Sequence, residues 1–274
     1  MDQYTSACYE ASKLITNRYS TSFGLSIRLF APELRKHIYA MYGLVRIADE
    51  IVDTYKGSDQ KTLLDDLESE TLRALKTGYS TNPLVHAFAV TAGKYTITPQ
   101  LITPFFESMR SDITPQLFNQ SAYETYIYGS AEVVGLMCLK VFTNDAALYN
   151  SLEPGAKRLG AAYQKVNFLR DIAADANTLD RWYFPEGSYK TFDEKAKTTI
   201  IKDIESDFTA AKPAIDALPH SSRKAVLLSY HYYSELLKQL KLTSARELKR
   251  KRIRVSDARK AALFIRTSSG FKNA

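Results

Sequence analysis

Three oxygen-bearing side chains recur at intervals of four residues in the stretch Asn167-Phe-Leu-Arg170-Asp171-Ile-Ala-Ala-Asp175. In an α-helix, residues four apart lie on one face, about 6 Å apart along the axis. Asn167, Asp171 and Asp175 would then form one polar line. Two carboxylates at that separation repel each other unless a positive group lies near them. The spacing therefore predicts a helix whose polar face binds a cation or a cationic side chain.

A second acidic stretch, Arg46-Ile-Ala-Asp49-Glu50-Ile-Val-Asp53, lies far upstream. Asp49 and Asp53 are again four residues apart, and Arg46 precedes Asp49 by about one turn. Their neighbours are mostly apolar, which makes exposure of this face to solvent less favourable. From the residues alone, three interpretations stay open: a solvated surface, a network of buried ion pairs between Arg46 and an aspartate across an interface, or two faces that bind metal.

Magnesium is the ion that two facing aspartate pairs predict. Mg²⁺ prefers oxygen ligands and usually binds through one or two carboxylates together with substrate phosphates. Between the two pairs it would neutralise a diphosphate and make it a better leaving group, with Mn²⁺ as a substitute ion. Arg46 and Arg170 can add charge-assisted hydrogen bonds to the phosphate oxygens. Departure of a diphosphate from an allylic carbon would leave a carbocation, which aromatic faces such as Phe23 stabilise.

The distribution of apolar residues, prolines and glycines predicts an all-α fold in one domain spanning residues 1–274. The chain shows no alternating strand pattern of useful length and no repeat of fixed period, and its helical segments number about eight to ten. We expect long helices from Pro32 to about Tyr55 and over residues 121–142 and about 156–176.

Two glycines, Gly129 and Gly135, lie inside the second of these helices. A glycine within a helix costs about 1 kcal/mol relative to alanine. The close approach of another helix or of a ligand is the simplest explanation for both.

The composition excludes several classes of protein. Cys8 and Cys138 have neither metal-binding spacing nor a disulfide pattern, so a reducing compartment is expected. The four histidines show no Glu-x-x-His spacing of the kind found in di-iron sites. The N-terminus lacks the layout of a signal peptide, and the longest apolar run, Val133–Leu139, is too short to span a bilayer. These features predict a cytoplasmic protein.

The formal charge of +7 leaves open nucleic acid, an anionic membrane or a phosphorylated substrate as partner. The basic excess is concentrated in Arg246–Lys260, which holds eight Lys and Arg residues. Three interpretations of this segment stay open. It is the solvated end of a helix, it closes the diphosphate site through Arg252, or it binds the inner face of the cytoplasmic membrane. No base-stacking or groove-reading motif accompanies it, so nucleic acid is not an expected partner.

At these residues the sequence resembles the squalene/phytoene synthase family of head-to-head prenyl transferases. The match covers nearly the whole chain, and its two long acidic motifs occur in order and at the family's spacing. The residues that carry the resemblance are Ser20-Thr-Ser22-Phe23, Tyr42-Gly-Leu-Val-Arg46-Ile-Ala-Asp49-Glu50-Ile-Val-Asp53, Tyr128-Gly-Ser-Ala-Glu132-Val-Val-Gly135, Gln164-Lys-Val-Asn167-Phe-Leu-Arg170-Asp171-Ile-Ala-Ala-Asp175 and Arg181-Trp-Tyr183-Phe184-Pro185.

The resemblance implies an isoprenoid synthase fold, a single helical bundle around a central cavity. It also implies roles for residues of this chain. Those expected to bind Mg²⁺ are Asp49, Asp53, Asn167, Asp171 and Asp175. The expected catalytic residues are Asp49, Asp53, Asp171, Asp175, Tyr42 and Tyr183. The residues expected to contact the prenyl diphosphate substrates are Tyr19, Ser20, Ser22, Phe23, Arg46, Tyr128, Gln164, Arg170, Tyr233 and Arg252.

The chain departs from the family pattern at two places. Tyr19 stands where the family often has a histidine, and Ser130-Ala131-Glu132 replaces the usual Val-Ala-Gly. Glu132 therefore either faces the pocket or turns away from it. Ile27, where related enzymes that use a C15 substrate can carry a bulky aromatic residue, leaves more room for a C20 tail.

Within the family the chain is most similar to bacterial phytoene synthases of carotenoid pathways. The expected reaction condenses two geranylgeranyl diphosphates through prephytoene diphosphate to phytoene, without NADPH. Upstream and downstream carotenoid enzymes are then possible partners. One alternative is a squalene or dehydrosqualene synthase that uses farnesyl diphosphate. Another is a non-catalytic, membrane-associated assembly factor of the same fold, which should have lost some of the aspartates.

Overall fold

The structure, a computed structural model, describes residues 1–114, 118–179, 181–185 and 187–269, without the side chains of residues 21 and 22. These residues form thirteen α-helices and two short π-helical turns, and no extended strand occurs among them. The all-α prediction is confirmed. In the same described ranges, no helix combines the length and the apolar character that crossing a membrane requires.

The chain is a succession of helices with short connections. In order, the α-helices are α1 Gln3–Tyr19, α2 Thr21–Ile27, α3 Pro32–Asp49, α4 Gln60–Thr77, α5 Pro83–Tyr95, α6 Pro99–Ser111, α7 Gln120–Ile127, α8 Val133–Thr143, α9 Ala146–Thr178, α10 Glu194–Ala217, α11 His220–Leu242, α12 Ala245–Leu248 and α13 Asp257–Ser269. The π turns are Glu50–Thr54, which follows α3, and Tyr128–Glu132, which joins α7 to α8.

Local sequence explains where many of these helices begin. Proline occupies the first turn of α3, α5 and α6, where its missing N–H costs nothing. Side-chain caps begin others: Asp2 accepts from Thr5 N, Asn119 from Ala122 N and Asp145 from Leu148 N. Each cap satisfies an N–H that the first helical turn leaves without a partner.

The two π turns correct the prediction of uninterrupted helices over Pro32–Tyr55 and 121–142. In each, a backbone N–H bonds five residues back: Tyr55 N to Glu50 O at 3.0 Å, and Val133 N to Tyr128 O. Each π turn therefore holds about one residue more than a turn of α-helix, and such π turns are frequent at functional sites. The first π turn overlaps the upstream acidic motif, and the second lies in the glycine-bearing motif. Side chains beyond each turn therefore point in directions that α-helical spacing does not predict.

Helix α9 is also longer than predicted, because it begins at Ala146 rather than near residue 156. Asp145 caps its N-terminus, and Pro154 lies inside it. A proline inside a helix normally costs stability. Here Gly155 leaves space for close packing: a Cβ at Gly155 would lie 2.3 Å from the Cβ of Ala214 on α10. Helix α9 therefore continues through Pro154 at the place where α10 packs tightly against it.

Packing places the two acidic motifs on opposite sides of the interior. Helix α3 packs mainly on α1, α5 and α8, whereas α9 packs mainly on α10, α8 and the second π turn. A large apolar cluster around Met41, Phe88 and Phe106 supports the first group of helices. A second cluster around Phe168 and Ile204 supports α9 and α10.

The helix glycines are explained by neighbouring helices. A Cβ at Gly129 would lie 2.1 Å from Pro104 O on α6, and one at Gly135 would lie 3.1 Å from Ala156 O on α9. Only a residue without a side chain permits the first approach. The close helix contact expected from the sequence is confirmed at both positions.

Candidate active site

The aspartates of the two motifs lie in one electrostatic cluster. Burial and the nearby carboxylate of Asp53 raise the pKa of Asp49 to about 7. Burial and Asp171 raise the pKa of Asp175 to about 7 as well, and Asp53 acts on Asp175 in the same direction. Arg181 connects the two motifs directly, because its N–H donates to Asp175 O at 2.9 Å and its Nη1 donates to Asp53 Oδ1 at 2.6 Å. Residues 122 positions apart in sequence (53 and 175) therefore lie near each other.

Arginines neutralise the first acidic face. Arg46 Nη1 lies 3.7 Å from Asp49 Oδ2, and Arg46 Nη2 bonds to Glu50. Arg181 Nη1 donates to Asp53 Oδ1 at 2.6 Å. The Arg46 Nε atom is buried and has no hydrogen-bond partner in the part of the chain that the structure describes. One donor of this guanidinium therefore lacks an acceptor among the described residues.

The second acidic face has arginine partners of its own. Arg170 Nη2 lies 2.5 Å from Asp171 Oδ2, and Arg252 Nε lies 2.7 Å from Asp171 Oδ1. Arg252 comes from the basic segment after α12, so this segment reaches the carboxylates. The contact agrees with the interpretation in which Arg252 covers a diphosphate site.

Asp112 is a buried carboxylate at the cluster that sequence reasoning missed. It follows α6 and accepts hydrogen bonds from Tyr126 Oη at 2.6 Å and from Tyr183 Oη at 2.9 Å. Burial raises its pKa to about 6, although Arg181 and the two tyrosines lower it. A single acid just after an amphipathic helix resembles an ordinary surface residue, so nothing in the sequence distinguishes it.

Arg181 belongs to the motif Arg181–Pro185 and is a site residue that the sequence analysis does not predict. Its guanidinium is 8% exposed and connects three segments. Besides the ion pair with Asp53, Arg181 Nη2 donates to Val52 O at 3.1 Å and to Asp112 O at 2.8 Å. Val52 lies in the first π turn, whose last carbonyls lack helical partners. Arg181 therefore fixes the end of the first acidic motif against α6 and the loop after α9.

Aromatic side chains line the space between the two faces. Tyr42 and Phe23 stack with centroids 5.1 Å apart, and burial raises the pKa of Tyr42 to about 12. Tyr233 Oη donates to Asn167 Oδ1 at 3.3 Å. Tyr183 stacks on Phe168 at 4.1 Å. The structure therefore brings the predicted Phe23, Tyr42, Tyr183 and Tyr233 to this region.

The polar residues predicted to bind substrate have different surroundings. Ser20 Oγ accepts from Phe23 N at 3.2 Å and so caps α2. The side chain of Ser22 lies outside the described residues. Gln164 Oε1 accepts from Asn167 Nδ2 at 3.5 Å. Ser20 is thus committed to a backbone hydrogen bond, whereas Gln164 orients the amide of a predicted metal ligand.

Tyr128 does not join the cluster. Its ring lies 5.9 Å from Lys157 Nζ, and the structure gives it no hydrogen bond or ring contact with the site residues within the described ranges. Tyr126, two residues earlier, takes the place beside Asp112. Residues two apart on a helix lie about 200° apart around its axis, so Tyr126 and Tyr128 face different sides.

The open question about Glu132 has a structural answer. Burial raises its pKa, and the charged groups that act on that pKa are Lys157 and Arg158 of α9, Asp207 of α10 and Lys165. Glu132 therefore faces the α9–α10 contact and not the aspartate cluster. In that contact, Lys165 Nζ bonds to Asp207 Oδ2 at 2.7 Å.

The donor set fits hard divalent cations. The carboxylates crowd together with raised pKa values, and such repulsion is relieved by a positive ion. Over residues 1–114, 118–179, 181–185 and 187–269, no three His, Cys, Asp or Glu residues form a ready-made metal cluster. Mg²⁺ does not require one, since it usually takes one or two protein carboxylates and completes its shell with water and phosphate oxygens.

Comparison with known proteins agrees with this geometry. The squalene/phytoene synthase family model matches residues 16–259. The chain is 28% identical to 15-cis-phytoene synthase of Synechococcus elongatus, over 85% of this chain and 83% of that protein. It is 29% identical to chloroplastic phytoene synthase 1 of Zea mays, over 85% of this chain but only 61% of that protein.

The fold is shared with solved structures of related synthases. A dehydrosqualene synthase superposes with a TM-score of 0.81 at 23% identity, covering 98% of each chain. A squalene synthase from Alicyclobacillus acidocaldarius gives a TM-score of 0.78 at 18% identity, covering 92% of this chain and 98% of that one. These likenesses confirm the isoprenoid synthase fold. With a family match over most of its length, this chain belongs to the squalene/phytoene synthase family of prenyltransferases.

Proposed function

We propose that the protein is a Mg²⁺-dependent phytoene synthase that condenses two geranylgeranyl diphosphates head to head. The observation that carries the proposal is the pair of facing aspartate faces, each with its own arginines, at one end of an aromatic interior. The phytoene synthases among its relatives, 28–29% identical over 85% of the chain, support the C20 substrate.

The first task of the site is to hold a diphosphate. Asp49, Asp53, Asn167, Asp171 and Asp175 would hold Mg²⁺, which neutralises the diphosphate and makes it a better leaving group. Arg46 would donate through its Nε, which has no partner among the described residues. Arg170 and Arg252 would each replace a hydrogen bond to a carboxylate oxygen of Asp171 with one to a phosphate oxygen. The chain's own cations therefore bind and orient the leaving group.

The second task is to protect a carbocation. The stacked rings of Phe23 and Tyr42 present aromatic faces next to Asp49, and such faces attract a cation. Tyr126 and Tyr183 donate their hydroxyl hydrogens to Asp112, and these two hydrogen bonds fix the orientation of both rings. An aromatic lining of this kind stabilises positive charge and excludes water.

Product analysis tests the proposal. Purified protein with Mg²⁺ is incubated with geranylgeranyl diphosphate or farnesyl diphosphate, each with and without NADPH, and the hydrocarbons are identified by mass spectrometry. We expect phytoene from the C20 substrate without reductant. The same reaction with EDTA in place of Mg²⁺ is the control and should give none.

A squalene-type synthase is the second candidate, favoured by the superposition on a dehydrosqualene synthase. A C30 product from farnesyl diphosphate, with no product from the C20 substrate, would support it. A requirement for NADPH would then separate squalene from dehydrosqualene formation. A folded protein without any product would instead favour the non-catalytic alternative.

A further inference from the structure

Tyr19 makes a contact that the proposed reaction does not use directly. It is the last residue of α1, and its side chain is half exposed at 50%. Its ring lies against the guanidinium of Arg46, with the Arg46 Cζ 4.2 Å from the ring centroid. A planar guanidinium on an aromatic face is both attracted by the ring and restricted in its motion.

Other groups restrain the same guanidinium from different directions. Glu50 bonds to Nη2, and Asp49 lies 3.7 Å from Nη1. The Tyr19 ring therefore covers one face of the Arg46 guanidinium, while the two carboxylates approach its terminal nitrogens.

This arrangement leaves one donor of Arg46 without a partner. The Nε atom is buried and unsatisfied among the described residues, and the Arg46 side chain is only 21% exposed. A buried N–H without an acceptor is unfavourable, and a charged acceptor relieves it most strongly. The orientation of this donor is fixed by the groups that hold the rest of the guanidinium.

We propose that Tyr19 is a positioning residue that acts through Arg46: its ring and Glu50 hold the guanidinium so that Nε faces the substrate diphosphate. The inference rests on the proposed function, in which Arg46 contacts that diphosphate. Because the arginine is ordered before the ligand arrives, binding does not have to fix its rotamer. The aromatic face, rather than the hydroxyl, carries the effect.

Calorimetric titration with inorganic pyrophosphate in Mg²⁺ tests the proposal without turnover. Tyr19→Leu removes the ring, and we expect pyrophosphate to bind about three- to tenfold more weakly, from the lost cation–π contact and the added rotamer freedom. Tyr19→Phe keeps the face and should bind within about twofold of the wild type. Tyr79→Leu, on a tyrosine that is 54% exposed, is the matched control and should change nothing.

A double-mutant cycle shows whether Tyr19 acts through Arg46. In an Arg46→Met background, Tyr19→Leu should have no further effect on pyrophosphate affinity. An equal loss in both backgrounds, or wild-type affinity in Tyr19→Leu alone, would overturn the positioning role. Failure of the wild-type protein to bind pyrophosphate with Mg²⁺ would contradict the proposed function instead. Circular dichroism verifies that each variant is folded.

Discussion

Replacing Gly129 by alanine should destabilise the protein strongly, because two helices touch at this position. The new Cβ would lie 2.1 Å from Pro104 O and 2.2 Å from Ser108 Oγ. To restore even a 3.0 Å separation, α6 and the π turn would have to move apart by about 0.9 Å. Ser108 Oγ also donates to Tyr126 O at 3.2 Å, and that bond would be disturbed.

The magnitude follows from overpacking against backbone atoms, which cannot change rotamer. Extra methyl groups in packed interiors cost about 1–3 kcal/mol, and an overlap this large with a carbonyl belongs at the upper end. Alanine also favours a helix over glycine by about 1 kcal/mol, which offsets part of the strain. We expect a net loss of about 2 kcal/mol in the free energy of unfolding.

Gly93→Ala is the matched control for this measurement. Gly93 is exposed in α5, and a Cβ there would meet nothing within 4 Å. Only the helix preference remains, so this variant should be more stable than the wild type by about 0.5–1 kcal/mol.

Urea unfolding of both variants, followed by circular dichroism at 222 nm, gives the comparison. The free energies of unfolding of the two variants should differ by about 3 kcal/mol, with Gly129→Ala less stable and Gly93→Ala more stable than the wild type. If Gly129→Ala were as stable as Gly93→Ala, the close approach of α6 to the π turn would be wrong. A change in the denaturant slope would instead indicate loss of two-state unfolding.

Further predictions concern buried charges. Lys165→Met should cost about 1–3 kcal/mol, because the buried carboxylate of Asp207 loses one cationic partner and keeps only Arg158, 3.0 Å away. Lys165→Met combined with Asp207→Leu should cost less than Lys165→Met alone. Urea titration distinguishes the two variants, and equal losses would refute the reasoning. Burial and Asp53 raise the Asp49 pKa from 3.8 to about 7, so the folded state binds this proton more tightly than the unfolded state does. The measurement is the free energy of unfolding in EDTA, taken as the wild-type value minus the value for Asp49→Asn. This difference should fall as the pH rises from about 4 to 7, and a difference that does not change with pH would contradict the raised pKa of Asp49. Asp171→Ala should abolish turnover while the protein stays folded, which product analysis and circular dichroism check together; retained activity would remove the metal-site assignment.

The sequence predicted those features that depend on local spacing. The i, i+4 pattern of Asp171 and Asp175 placed them on one helix, and Pro32 marked the start of α3. The two arginines beside the acidic motifs lie close to carboxylates of their own motifs, Arg46 to Asp49 and Arg170 to Asp171. The prediction that the two acidic motifs act at one site was based on their similarity to each other and on the family resemblance.

Contacts between distant segments could not be predicted in the same way. Asp112 and Tyr126 gain their significance only where α6, α7 and the loop after α9 meet. The π turns depend on close packing, as at Gly129, rather than on residue preference. Helix α9 likewise begins at Ala146, ahead of its predicted start near residue 156, because close packing at Gly155 accommodates the helix through Pro154.

The bonds of Arg181 bear on the order of events during folding. This residue joins Asp53, 128 positions earlier in the chain, and Asp112, 69 positions earlier. Individual helices form within microseconds from nearby residues, whereas contacts of such long range require closure of large loops. The carboxylate cluster is thus completed only after the two halves of the chain have met. A nascent chain that ends before Arg181 can hold most of the helices, yet it lacks the residue that joins the two acidic faces.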